Sequence, residues 1–136
     1  MKRELQCLGL QKWQSERDNT NKGALTKIFF PTIKERLTKQ LQMNLTLLTV
    51  VTGHGKIRSY LNRFKIIDDP TCSCQMGSQS TEHLIRECTI LNKQRETIKN
   101  GITKAGGRWP PSNSELVHMY TTLFQKFVNS INFESL

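Results

Sequence analysis

Residues 72–88 read Cys72-Ser73-Cys74-Gln75-Met76-Gly77-Ser78-Gln79-Ser80-Thr81-Glu82-His83-Leu84-Ile85-Arg86-Glu87-Cys88. The spacing is C-x-C-x8-H-x4-C, and three thiolates with one imidazole complete a tetrahedral ligand set for zinc. Cys72, Cys74, His83 and Cys88 are therefore the candidate metal ligands; the alternative is a group of ordinary buried thiols beside a surface histidine. A tight turn can bring Cys72 and Cys74 to one side, Gly77 can return the loop, and His83 with Cys88 can close the site from a helical segment. Residues five apart lie about 140° apart around an ideal helix, so the helix must bend or end near Cys88. A closed four-ligand set leaves no position for water, so the metal is expected to be structural Zn2+ that contributes to folding, not to hydrolysis. The expected fold is mainly α, a small helical domain with a zinc-knuckle-like CCHC loop.

Upstream of the cluster, Asp68-Asp69-Pro70 reads as a turn, and before it stands Thr52-Gly53-His54-Gly55. The two glycines can take the positive-φ positions that end one helix, carrying Leu45, Leu47, Leu48, Val50 and Val51, before another begins. That second helix is expected to turn Ile57, Tyr60, Leu61 and Phe64 inward and Lys56, Arg58, Arg63 and Lys65 outward or sideways. Further back, Thr32 and Glu35 fit a capping box after Pro31, starting a helix through Arg36, Leu37 and Leu41. The chain opens with a helix in which Leu5, Leu8 and Trp13 can share a face, broken by the polar stretch from Asp18 to Gly23. Downstream, Thr81 to Lys104 is expected to be helical with an irregularity near Cys88, ending at Gly106 and Gly107. After Trp109-Pro110-Pro111, Ser112 or Asn113 can cap a last helix whose Leu116, Tyr120, Leu123, Phe124, Phe127, Val128 and Ile131 form an apolar stripe. That stripe reads as a lid on the core, with a groove-binding or dimerising helix as the alternative. The segments are 1–21, a terminal helix; 22–66, a basic helical segment; 67–104, the CCHC segment; and 105–136, a linker with a C-terminal amphipathic helix.

The formal charge of +9 over 136 residues is local. Residues 22–65 hold nine Lys/Arg against the single acid Glu35, whereas 66–136 balance seven against seven and 1–21 carry four against three. Clustered cations bind phosphates largely by releasing condensed counterions, so a polyanion, RNA or DNA, is the first partner to consider. The candidate nucleic-acid contacts are Lys56, Arg58, Arg63 and Lys65, with His54 either binding a phosphate in a backbone nest or capping the preceding helix. Tyr60 and Phe64 beside these cations could offer a stacking ring to a single strand, but four residues apart on one helical face they read as core, leaving contact with the partner to the cations. No apolar run reaches the roughly 18 residues that span a bilayer, and Met1 to Trp13 lacks the features of a signal peptide. The expectation is a soluble intracellular protein without membrane association, nucleus and cytoplasm not being distinguished. Cysteines there are thiols or metal ligands; Cys7, remote from the others, is expected to be a half-buried thiol.

The run from Thr52-Gly53-His54-Gly55 through Lys56-Ile57-Arg58-Ser59-Tyr60-Leu61-Asn62-Arg63-Phe64, then Asp69-Pro70 with Cys72 and Cys74, then Glu82-His83-Leu84-Ile85 with Glu87-Cys88, resembles the C-terminal region of insect-type non-LTR retrotransposon reverse transcriptases. The resemblance covers roughly residues 11–100. It implies a zinc-binding region that follows polymerase and RNase H domains, with 1–21 similar to the exit from the RNase H domain. Thr89 stands where that family often has proline and Gln75 where it often has glycine; neither departure removes a ligand. The chain offers no polymerase motif with paired aspartates, since Asp68-Asp69 sits in a turn before a proline, and no acidic quartet of an RNase H site. The resemblance therefore implies a nucleic-acid-binding accessory module without catalytic residues of its own. A protein-interaction scaffold docking onto other polyprotein domains is the alternative, as is a truncated or decayed element copy.

Overall fold

The computed structural model describes residues 2–38 and 44–136; Lys39 and Leu41 lie outside the described residues, as do the side chains of Leu5 and Arg36. Among the described residues the fold is mostly helical, with no strand beyond an isolated antiparallel bridge between Thr71 and Ser78. The elements are α1 (Lys2–Asp18), α2 (Ala24–Phe29), α3 (Ile33–Thr38), α4 (Leu45–Thr52), α5 (Arg58–Arg63), α6 (Thr81–Arg86), a 3-10 turn (Thr89–Leu91), α7 (Asn92–Lys104), α8 (Asn113–His118) and α9 (Thr121–Asn129). No helix among the described residues is long and apolar enough to cross a membrane.

Local chemistry accounts for most of these boundaries. The capping box at α3 is formed: the Glu35 N–H donates to Thr32 Oγ1 and the Thr32 N–H to the Glu35 carboxylate, both at 3.0 Å, satisfying two donors that a helix start leaves free. Asn44 caps α4 by accepting from the Leu47 N–H at 2.8 Å. Gly53, at φ 71°, ends α4 in the left-handed region, and Gly55 repeats that conformation two residues on. Only glycine takes both positions without strain from a Cβ. At α8 Ser112 and Glu115 form a second capping box.

The core lies between α2, α4, α7, α8 and α9, which pack against one another. Phe29 of α2 stacks on Phe124 of α9 with centroids 5.8 Å apart, and the Phe30 ring meets His118 edge-on. Leu47, Val50 and Val51 of α4, Ile98 and Ile102 of α7, and Leu116 and Val117 of α8 fill the space between. Leu84, Ile85 and Leu91 join the same cluster, as do Cys72 and Cys88. The metal loop is therefore continuous with the core, not an annex to it.

Several expectations need correction. The C-terminal stripe is carried by two helices, not one: Tyr120, at φ −119° and ψ 37°, breaks α8 from α9. The change of direction lets Leu116 and Val117 and then Phe124, Phe127, Val128 and Ile131 all reach the core, so the stripe is a lid on the core. Residues 24–29 form a helix of their own, too short for its periodicity to stand out in the sequence. Helix α1 touches α3 chiefly through polar contacts, Gln14 and Arg17 donating to the Pro31 carbonyl and the Ile33 N–H donating to Gln14. Leu8 and Trp13 stay exposed on it, and Cys7 is exposed, not half-buried.

Candidate metal centre and adjoining basic helix

The ligand atoms of Cys72, Cys74, His83 and Cys88 all lie within 4.8 Å of one another, so the structure brings together the four residues the spacing singled out. The arrangement is built from backbone geometry. The Gln75 N–H donates to the Cys72 carbonyl and the Cys72 N–H to the Gly77 carbonyl, closing a knuckle that presents Cys72 and Cys74 together. Gly77 takes φ 146° and Gln75 φ 63°. The latter is a left-handed position that glycine fills more readily, which explains why glycine would suit residue 75. On the other side, Ser80 caps α6 through the His83 N–H. Helix α6 stops at Arg86, and Cys88 follows outside it with its N–H donating to the His83 carbonyl. The 140° problem is solved by ending the helix, so His83 and Cys88 face the same point.

The fit to a metal rests on the donors themselves. Zinc–sulfur bonds of about 2.3 Å in a tetrahedron place sulfurs about 3.8 Å apart, and the Cys72 and Cys88 sulfurs are 3.7 Å apart. His83 Nε2 lies 3.1 Å from the Cys74 sulfur, while its Nδ1 faces the Glu87 carboxylate at 3.3 Å. A ring held through one nitrogen by a carboxylate offers the other as a ligand in a fixed orientation. Cys72, His83 and Cys88 are buried. Burial pushes the Cys88 thiol up to about 11. At Cys74 burial acts in the same direction, yet hydrogen bonds from the Met76 backbone, His83 and Cys72 outweigh it and bring that thiol down to about 6. The cluster can hold a metal ion.

Three further residues hold this site and escaped the sequence reading. Glu87 orients His83, and its i+4 spacing from the histidine was the available signal. Arg95, buried, donates to the carbonyls of Leu84, Ile85 and Cys88 at 2.8–3.1 Å, satisfying the open carbonyls at the end of α6. Gln79, also buried, joins the loop to α5. Its backbone carbonyl accepts from the Ser59 N–H and its Oε1 from the Arg58 N–H, each at 3.0 Å, and its Nε2 lies 3.7 Å from the Cys72 sulfur. Ile57, at the N-cap of α5, supplies no side-chain cap. The metal loop caps the basic helix instead.

The five candidate nucleic-acid contacts occupy different settings. Arg63 and Lys65 are exposed at the end of α5, Lys65 at φ 58°. Lys56 pairs with Glu134 at 3.1 Å, both largely in solvent. Arg58 donates Nη2 to the Asp69 carbonyl, tying α5 to the turn before the cluster. In that turn Asp69 accepts from the Thr71 N–H, and its carboxyl is held below the usual range by hydrogen bonds from Thr71. The His54 ring stacks on Tyr60 with centroids 4.6 Å apart. Of the four residues expected to face inward, Ile57 is buried and Tyr60 and Leu61 half-buried, but Phe64 is 57% exposed. Helix α5 ends at Arg63, so Phe64 no longer follows the inward face.

No protein-family model matches the chain. Comparison with solved structures gives no match. Among curated proteins, the chain is 30% identical over 105 residues to a retrovirus-related Pol polyprotein from type-1 retrotransposable element R1 of Bradysia coprophila, covering 72% of this chain and 10% of that protein. The corresponding polyprotein of Popillia japonica is 31% identical over 99 residues, with 72% of this chain and 38% of the relative covered. One from Nasonia vitripennis is 23% identical over 92 residues, covering 67% and 22%. The chain thus spans well under half the length of these relatives, and the similarity supports its origin in a retrotransposon Pol polyprotein.

Proposed function

We propose that this chain is a zinc-stabilised nucleic-acid-binding accessory module of a retrotransposon reverse transcriptase polyprotein, with no catalytic residue of its own. The observation that carries the reading is the junction at Gln79, where the loop of the Cys72, Cys74, His83 and Cys88 cluster supplies the N-terminal cap of the helix bearing Arg58 and Arg63. Zinc, when bound, would replace the protons of the three thiols with Zn–S bonds and add a bond to the free His83 nitrogen, closing the loop. The closed loop holds Gln79, Gln79 holds the start of α5, and α5 with its flanks presents Lys56, Arg58, Arg63 and Lys65, beside His54, to phosphates. The partner is RNA or DNA, and neighbouring polyprotein domains are further partners.

The test is replacement of Lys56, Arg58, Arg63 and Lys65 together by alanine, with an Arg63→Ala/Lys65→Ala double variant because Arg58 also braces the Asp69 turn. Both should weaken binding to single strands irrespective of sequence, and each lost phosphate contact should make the salt slope shallower by roughly 0.7 to 1 unit. A folded quadruple variant that keeps its affinity for single strands and duplexes would exclude the reading.

A second reading is favoured by a different observation. Leu8, Trp13, Ile28, Leu37 and Leu45 are exposed, and two of the four cations already have protein partners. A scaffold that docks these apolar residues onto another polyprotein domain would keep its partner at moderate salt, where phosphate binding would weaken steeply.

A further inference from the structure

His54, Tyr60 and Phe64 form a column of rings. His54 stacks on Tyr60 at 4.6 Å and 27°, Tyr60 meets Phe64 at 4.9 Å, and the Arg63 guanidinium lies 5.8 Å from the Phe64 centroid. Rings that serve only packing are buried, but here both ends of the column, His54 and Phe64, are exposed and only Tyr60 reaches the core. The column forms one wall of a cleft of ≈ 840 Å³ whose other surfaces include Asn21, Lys22, Gly53 and Ser80. Lys22 and Arg63 put two cations on that cleft against the single acid Glu82.

We propose that this cleft is a stacking site for unpaired bases of a single-stranded nucleic acid, the exposed rings of His54 and Phe64 at the two ends of the column each offering a base a contact while Lys22 and Arg63 hold the adjoining phosphates. The proposal rests on the nucleic-acid reading above and narrows it to strands whose base faces are free. Aromatic rings accept any base, because every base has a π-face, and a neighbouring guanidinium strengthens the contact. A duplex cannot use such a platform, since its base faces are already stacked on one another. Cations alone would not distinguish the two forms in this way.

The experiment measures binding of the full chain, loaded with zinc, to a short single-stranded RNA, the matching DNA strand, an abasic DNA strand of equal length and a duplex. Wild type should favour base-bearing strands over the abasic one. Phe64→Ala, at an exposed position, should weaken the base-bearing strands by roughly tenfold, with salt slope and abasic and duplex affinities unchanged, and His54→Ala should weaken the base-bearing strands as well. Phe64→Trp should restore the wild-type value. If wild type binds base-bearing and abasic strands equally, or if both alanine variants bind as wild type does, the stacking site is refuted while the phosphate reading stands. If wild type binds none of the probes, both are refuted.

Discussion

His83 donates its geometry to the cluster because both of its nitrogens are engaged, Nε2 toward Cys74 and Nδ1 toward Glu87. Glu87 is 69% exposed, so replacing it costs the fold little, yet it fixes the orientation of the ring. Glu87→Gln should lower metal affinity between about ten- and a hundredfold with the helical content unchanged. Competition against a chromophoric chelator would measure it, and an unchanged affinity would remove Glu87 from the site. At this scale the clustering of Cys72, Cys74, His83 and Cys88 was legible because cysteine and histidine at closing intervals have few other uses together. Gln79 and Arg95 were not, because their main partners are backbone groups brought in by the fold: the N–H groups of Arg58 and Ser59 for Gln79, and the carbonyls of Leu84, Ile85 and Cys88 for Arg95. Nothing in their own positions along the chain marks them, and Arg95 counted only as one charge in a balanced segment.

Among the elements, α5 is one that depends on its surroundings. It has six residues and no cap of its own, and a helix of that length does not hold in water without external contacts. Gln79→Ala removes the Oε1 acceptor of the Arg58 N–H and leaves the four ligands in place. It should destabilise the chain by about 1–2 kcal/mol, with faster amide exchange at the start of α5 and unchanged metal content. Slowed or unchanged exchange there would break the proposed link between loop and helix. Cys88→Ser acts on the other side of the junction. It should loosen 72–88 and α5 together while α8 and α9, held by Leu116, Phe124, Phe127 and Val128, keep their protection. Equal loss in all four regions would contradict that division. The sequence announced elements through their caps, at Thr32, Gly53 and Ser112. It hid the break at Tyr120, because an apolar stripe at helical spacing reads the same whether or not one residue in it leaves helical geometry. The exposure of Phe64 was hidden likewise, since it depends on α5 stopping one residue earlier.

Over the whole molecule, one core joins α2, α4, α7, α8 and α9, and Cys72 and Cys88 belong to it. The candidate metal loop is therefore packed against the core, and the basic surface is tied to that loop through Gln79. The charge distribution marked residues 22–65 as the basic third of the chain, but not that Lys56 would pair with Glu134 or that the rings beside the cations would be open. The central claim, that a metal-closed loop organises a cationic surface for nucleic acid, makes affinity depend on salt and on metal at once. The most direct measurement is the affinity for a short single-stranded RNA across a salt series, for zinc-loaded protein, for protein stripped by a chelator, and after zinc is returned. Four phosphate contacts predict a log–log slope near about −3 for the loaded protein, a loss of affinity on stripping, and its recovery with zinc. Affinity that ignores salt, or that is the same with and without the metal, would contradict the account.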